Sequence, residues 1–430
     1  MLIAPSSLDE WLAYQSQINP RAIDLGLDRL HGVLKRLNWA RPRAAVISVA
    51  GTNGKGSVVT TCGAILAACG CRVGVFTSPH FRDYRERIRI DGALVDTAAL
   101  IGAFERIEAA RGDIPLTFFE YNTLAALLLF EAAGLDVWVL EIGLGGRLDA
   151  VNVIDPDVAV VVSIGMDHQD YLGSSLERIG REKAGIFRAM KPAILGNRDL
   201  PGSVADTAVA AGAKLKRLGT EFDCIRTEGG WHYRGPRWDL PDLPPPALFG
   251  EAQYDNAATA VAAVEELSGL AAITATGIAK GLASVQLSGR FQLIRAKAGV
   301  GPEWILDVAH NPDAALVLAN NLQALPMGPR TFAVCGILAD KDAVAIIGEL
   351  RGSFDRWWFV STSGERGRSA AALESCVAAG LDAPAVAFDS VADACAAAAA
   401  AAGDGDRIVV FGSFHTVGPA LDWLESRGIL

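Results

Sequence analysis

The chain alternates between short apolar runs of strand length and longer helical stretches. AAVISVA (44–50) is a β-branched run ending in glycines, and CRVGVFTS (71–78), DVWVLEIG (136–143) and PDVAVVVSIG (156–165) are further strand candidates. Between them, SVVTTCGAILAACG (57–70) predicts an amphipathic helix closed by Gly70, and TLAALLLFEAAG (123–134) predicts another. Strands that are apolar on successive residues are covered on both faces, as in a parallel sheet. Alternation of strand and helix implies right-handed crossovers and an open α/β sheet. Ligands of such sheets sit beyond the carboxyl ends of the strands, so the residues just after each strand carry most weight.

Near the start, Ser7 and Glu10 fit a capping box that opens a helix through Tyr14. DLPDLPPPALFGE (239–251) predicts a proline-rich surface loop, followed by a helix over NAATAVAAVEELSG (256–269) and a break near LSGR (287–290). A second alternation then begins with EWILDVA, RTFAVCGI, RWWFVS and RIVVFGS. This pattern predicts a larger domain over residues 1–289 and a smaller α/β domain over 290–430. The alanine-rich run ACAAAAAAAG (394–403) reads as helix, Trp357 and Trp358 as strand residues packing core and edge, and Asp340–Lys341–Asp342 as a loop or domain-interface element.

Composition narrows the partners. With 39 Lys and Arg against 49 Asp and Glu in 430 residues, the net charge of −10 repels nucleic acid and anionic membrane. No apolar run reaches the roughly 18 residues of a membrane helix, and the opening MLIAPSSLDEWL lacks the pattern of a secretory signal. Seven cysteines, an odd count, read as reduced thiols. We therefore expect a cytoplasmic protein, monomeric, without nucleic-acid or membrane partners.

The strongest local signal is VAGTNGKGS (49–57), at a strand-to-helix junction. Gly51, Gly54 and Gly56 allow a tight turn and close backbone approach. The exposed N–H groups of Thr52, Asn53 and Ser57 and the helix N-terminus attract phosphate oxygens, and Lys55 adds a mobile charge. The spacing departs from the common G-x-x-x-x-G-K-[ST] loop, because two residues separate Gly51 from Gly54 and Gly56 follows the lysine. Ser78, Glu141 and His168 each follow a strand, so a hydroxyl, a carboxylate and an imidazole can converge on one divalent ion. Read singly, Ser78 also fits a turn cap, His168 a structural histidine, and Lys183 a solvated helical lysine.

GTNGKG resembles the phosphate loop of the Mur ligase superfamily, and the glycine after the lysine resembles its folate branch. AIDLGLDR (22–29), FTSPH (76–80), FFEYNTLAAL (118–127), LEIGLGGRLDAVN (140–152), DHQDYLG (167–173), REKAGIF (181–187), LDVAHNP (306–312) and GSFHTVG (412–418) extend the likeness across the chain, in order. The resemblance implies a central P-loop ATPase domain with a mostly parallel sheet and a smaller C-terminal α/β glutamate-ligase domain. It implies Ser78, Glu141 and His168 as Mg²⁺ ligands, and a carbamylated Lys183 as ligand to a second Mg²⁺. It adds Asn256, Arg290 and Asp307 to the ATP contacts and makes Lys55, Lys183 and His310 the catalytic candidates. On the acceptor side it implies Asp24, Leu25, Gly26, Phe119, Arg147 and Asp149 as pterin contacts, an aromatic ring for stacking and carboxylates for an aminopyrimidine edge.

Other roles stay open on the residues alone: Asn256 also fits a helix N-cap, Phe119 a core residue, and Arg290 a surface ion pair. Ser288 stands where the family has proline before Gly289. The implied activity is ATP-dependent ligation of L-glutamate to dihydropteroate, and then to reduced folates, through an acyl phosphate, with the second domain closing to complete the site. Alternatives are folylpolyglutamate synthesis alone, another amino-acid ligase of the superfamily, a non-catalytic nucleotide-binding regulator, or an ordinary P-loop NTPase.

Overall fold

A computed structural model describes residues 5–19, 21–267, 273–295, 301–326, 328 and 330–430. The chain divides into two compact units. The first holds 1–78, 85–247 and 254–285, and the second 79–84, 248–253 and 286–430.

In the first unit, helices α1 (Leu8–Ile18) and α2 (Asp28–Arg36) precede β1 (Ala45–Ala50), α3 (Lys55–Ala68) and β2 (Val73–Phe76). Strands β3 (Ile88–Ile90) and β4 (Ala93–Leu94) lead to α4 (Thr97–Arg111), α5 (Phe118–Ala133), β5 (Val137–Glu141) and β6 (Val158–Val161). Then come α6 (Gln169–Leu172), α7 (Leu176–Ala184), β7 (Pro192–Leu195), α8 (Gly202–Ala210) and β8 (Lys214–Arg217). The sheet order is β4-β3-β2-β5-β1-β6-β7-β8. From β2 to β8 all pairs are parallel, and only the β2–β3 and β3–β4 pairings are antiparallel. Every residue of β5 is buried, including Trp138, which is the double coverage its unbroken apolar run predicts.

Three features differ from the sequence reading. Helix α3 is buried almost all round rather than amphipathic, because one side lies on the sheet and another on α10 (Ala275–Ser284). A Cβ at Gly281 would come within 2.5 Å of the Ile65 Cα, so the two helices touch backbone to backbone. The loop expected over 239–251 contains β11 (Asp239–Leu243), which pairs with β10 (Gly230–Arg234) beside β9 (Asp223–Thr227). β11 is the edge of that small sheet, where a proline is tolerated. Finally, α9 runs Ala252–Glu265, four residues earlier than expected; the predicted end at 268–269 lies outside the described residues.

At the N-terminus Ser7 caps α1 by accepting from Glu10 N at 3.3 Å. The Glu10 carboxylate turns instead to Ser6 N at 2.7 Å, so only half of the expected box forms.

The second unit carries β12 (Gln292–Ile294), β13 (Glu303–Asp307), α11 (Pro312–Ala324), β14 (Thr331–Cys335) and α12 (Ala343–Glu349). It continues with β15 (Arg356–Val360), α13 (Ala370–Val377), β16 (Ala385–Phe388), α14 (Val391–Ala401), β17 (Arg407–Phe411) and α15 (Phe414–Ser426). Its sheet order is β12-β13-β17-β14-β15-β16, parallel except at β12. Trp357 and Trp358 are both buried, on opposite faces of an inner strand rather than at core and edge, and the segment expected as a loop ends in Asp342, which caps α12 by accepting from Ala345 N at 3.0 Å. The segment 79–84 joins this unit through Phe81, whose ring lies 4.6 Å from that of Phe414, and through Arg82, which pairs with Asp422 and Glu425. All seven cysteines are free thiols. Among the described residues no helix is long and apolar enough to cross a membrane.

Candidate active site

The sheet order brings the carboxyl ends of β2, β5, β1 and β6 side by side. Onto this edge fall Ser78 after β2, Glu141 at the end of β5, the Gly51–Ser57 loop after β1, and the 162–168 segment after β6.

The phosphate loop is fixed largely by backbone and short hydroxyls. Thr52 N donates to Ser163 O at 2.7 Å, Asn53 N to the Ser163 hydroxyl at 2.9 Å, and Gly165 N to the Thr52 hydroxyl at 2.9 Å. Gly54 has φ +85 and caps α3; a Cβ there would sit 2.8 Å from Asn256 Oδ1 and 2.9 Å from Val162, so only glycine fits. That same approach puts Asn256 over the loop. Asn256 lies in the second turn of α9, not at its N-cap, which removes the capping alternative. Among the described residues the buried hydroxyl of Ser57 finds no hydrogen-bond partner, which leaves it available to a phosphate or its metal.

Lys55 Nζ donates to the carbonyls of Gly51 at 3.0 Å and Thr52 at 3.1 Å. Lys183, buried on α7, donates to the same Gly51 carbonyl at 2.9 Å. Burial, and then the charge of Lys55, lower the pKa of Lys183 to about 7, against the opposing pull of Asp167 and Asp149. The lysine that pattern alone reads as a solvated surface group is therefore an interior one.

For a metal, Glu141 is buried and accepts from Ser78 N at 3.1 Å, so these two predicted ligands meet directly. His168 opens α6 with φ 51, an uncommon backbone for a non-glycine residue, and its N donates to Asp167 at 2.8 Å. Among the described residues no three His, Cys, Asp or Glu side chains form a metal cage by themselves. One carboxylate, one hydroxyl and one imidazole suit a Mg²⁺ that completes its shell with water and phosphate oxygens.

The acceptor-side candidates come from three separate segments. Phe119, in the first turn of α5, lies across the backbone of Gly143, where a Cβ would stand 2.5 Å from its ring, and 6.0 Å from the Phe76 ring. Asp149 is buried and accepts from Leu144 N at 2.7 Å and Val151 N at 3.0 Å, so it shapes its own loop. Burial raises its pKa to about 6 despite those bonds. Arg147 pairs with Glu182 at 3.1 Å. The Asp24 carboxylate pairs with Arg29 at 2.9 Å, and Gly26 N donates to Leu148 O at 3.2 Å; Leu25 lies between them.

In the second unit, Arg290, Asp307 and His310 gather at the carboxyl end of β13. Asp307 accepts from Phe291 N and Ala309 N, both at 2.8 Å, and burial raises its pKa against the nearby Arg290 charge. His310 Nδ1 donates to Val308 O at 2.7 Å. Despite the missing proline, Gly289 turns with φ +63 and donates to Gln292 at 3.1 Å.

Sequence reasoning passed over Arg29, Glu120, Ser163 and Gly143. Thr117 and Glu120 form a full capping box for α5, a T-x-x-E signal readable in advance. Ser163 carries no such signal.

Residues 49–222 match the profile described as "Mur ligase middle domain" and residues 289–414 that of "Mur ligase, glutamate ligase domain". A dihydrofolate synthase/folylpolyglutamate synthase of Escherichia coli is 45% identical over 424 residues, covering 99% of this chain and 97% of its own. The solved structure of E. coli FolC in complex with DHPP and ADP superposes with a TM-score of 0.93 at 45% identity, over 100% of both chains. A bifunctional folylpolyglutamate synthase/dihydrofolate synthase with Mn, AMPPNP and L-glutamate bound gives 0.88 at 42% identity, over 98% of each chain.

Proposed function

The chain belongs to the Mur ligase family, in its dihydrofolate synthase/folylpolyglutamate synthase branch, and we infer that it is an ATP-dependent ligase joining L-glutamate to dihydropteroate and to reduced folates. The observation that carries the reading is the meeting of Lys55 and Lys183 on the Gly51 carbonyl, beside the partnerless Ser57 hydroxyl and the Ser78–Glu141 contact. The Lys55 cation, a helix N-terminus, a buried carboxylate and a buried lysine whose carbamate is a carboxylate-like ligand, all on one strand edge, suit a triphosphate with its metals.

In the reaction the acceptor carboxylate attacks the γ-phosphorus of ATP in line. The bond to the β-phosphate oxygen breaks, leaving ADP and an acyl phosphate. The amine of L-glutamate then attacks the acyl carbon and gives up a proton, and the bond to phosphate breaks to leave the amide. The loop N–H groups from Gly51 to Ser57 hold the phosphates, and Lys55 follows the charge as it moves to the leaving oxygen. Ser78, Glu141 and His168 would hold one Mg²⁺ and carbamylated Lys183 a second, and these ions neutralise phosphate charge when bound. Carbamylation consumes CO₂ and an unprotonated amine and releases a proton; the burial of Lys183 and the adjacent Lys55 favour that amine.

Phe119 offers a face for the pterin ring, with the loops of Asp24–Gly26 and Arg147–Asp149 around it. In the glutamate-ligase domain, Arg290 and Asp307 serve the nucleotide. His310, whose Nδ1 is committed to Val308 O, takes the proton of the attacking amine at Nε2. The seven free thiols fit a reducing compartment, and we place the protein in the cytoplasm.

The test mixes the purified protein with ATP, Mg²⁺, L-glutamate and dihydropteroate, following ADP and dihydrofolate, and repeats it with tetrahydrofolate. Both acceptors should be glutamylated with one ADP per amide. Glutamylation of tetrahydrofolate alone would reduce the reading to folylpolyglutamate synthesis, and ADP release without amide would overturn it.

A further inference from the structure

Among the described residues, Arg29 is the one cation whose guanidinium ties the Asp24–Gly26 loop to the helix that carries Phe119. Its Nε reaches both oxygens of Glu120, at 3.0 and 3.2 Å, while Nη1 pairs with the Asp24 carboxylate at 2.9 Å and Nη2 donates to the Asp24 carbonyl. Glu120 is almost wholly buried and also accepts from Thr117 N at 2.7 Å, the first bond of the α5 capping box. On its far side the Asp24–Gly26 loop is fastened by Gly26 N to Leu148 O at 3.2 Å, inside the Arg147–Asp149 loop. One guanidinium and one backbone bond thus fasten together three stretches of chain that lie far apart in sequence.

We propose that Arg29 is a positioning residue for the acceptor: by bridging Asp24 and Glu120 it holds the Asp24–Gly26 loop at the distance from Phe119 that a pterin needs. This rests on the ligase reading and deepens it. The described residues between α1 and α2 have no helix or strand to stiffen them, so their shape depends on such ties. A loop already ordered spares the ordering cost when acceptor binds. If only a fraction of molecules holds the loop correctly, acceptor affinity falls by that fraction, while nucleotide binding is untouched. Lysine cannot replace the function in full, since a single ammonium lacks the planar fork that serves two carboxylates and a carbonyl together.

The experiment measures KM for dihydropteroate, ATP and L-glutamate, and kcat, in the full-length enzyme and in Arg29→Ala and Arg29→Lys. Arg29→Ala should raise the dihydropteroate KM about tenfold or more, with the KM values for ATP and glutamate within about twofold. Arg29→Lys should fall between it and the parent. ATP binding by calorimetry tests that each variant is folded, and if Arg29→Ala fails that test, Arg29→Lys alone decides. An unchanged dihydropteroate KM, or equal losses for all three substrates, would overturn the positioning role. Failure of the unmodified enzyme to make dihydrofolate would instead overturn the ligase reading, so the two failures are distinct.

Discussion

The proposed phosphate side and the proposed acceptor side of the first unit are built by opposite means. The phosphate side is nine consecutive residues, Val49–Ser57, held by backbone bonds to the segment after β6 and by a glycine that tolerates no side chain. The acceptor side is gathered from three segments and held by charged side chains, with Arg29 and Glu120 alone 91 positions apart. A local loop depends on its own sequence and a rigid strand end. A gathered surface depends on a few long-range ties, so single substitutions should separate its binding from that of nucleotide.

The largest effect should come from Lys55→Ala, which removes the mobile cation from the local loop. Turnover with either acceptor is expected to fall about a thousandfold or more, read as ADP and amide formation. Loss of one activity only would break the contrast, since the phosphate side should serve both. A smaller effect should follow Gly143→Val, because the new side chain meets the Phe119 ring. The acceptor KM should rise about tenfold with the ATP KM unchanged, and equal changes in both would show that the two sides are not independent.

The smallest effect concerns acid. Glu108 links α1, α4 and α5 by hydrogen bonds from Tyr14 at 2.8 Å, from Tyr121, and from Arg111 at 2.6 Å. Burial alone would raise its pKa, but the bonds from Arg111, Tyr121 and Tyr14 outweigh it and hold the carboxyl below its ordinary value of 4.5. A depressed carboxyl pKa stabilises the fold above the unfolded value and loses that contribution as pH drops through the folded one. The thermal midpoint should therefore fall below about pH 4.5, and Glu108→Gln should show a shallower acid slope. An identical slope would remove charge as the glue of this side.

The contrast also explains what could be read in advance. The inner strands of both large sheets were legible, since β1, β2, β5 and β6 and then β13, β14, β15 and β17 are apolar runs, while outer strands such as β8 (KLKR) were not. The strand-to-helix loop was legible too, its glycines 51, 54 and 56 falling close together. The small β9–β11 sheet was not: prolines 241 and 244–246 read as a loop, while Trp231 and Tyr233 bury its face in the main core. The burial of Lys183 was invisible because helical periodicity does not reveal that α7 faces the Gly51 carbonyl. The roles of Asp24 and Asp149 shift for a similar reason. Composition shows a carboxylate, but only the fold shows that Arg29 and the backbone at Leu144 and Val151 already engage it.

The second unit is discontinuous: besides 286–430 it owns Pro79–Tyr84 and Leu248–Gln253. Trading C-terminal halves between relatives at a cut near Val285 would leave Phe81 and Arg82 facing a foreign α15, and Phe249 a foreign Phe291, with which it stacks at 4.8 Å. A workable chimera must graft all three stretches together, so this family's two halves are expected to diverge in concert rather than recombine as cassettes.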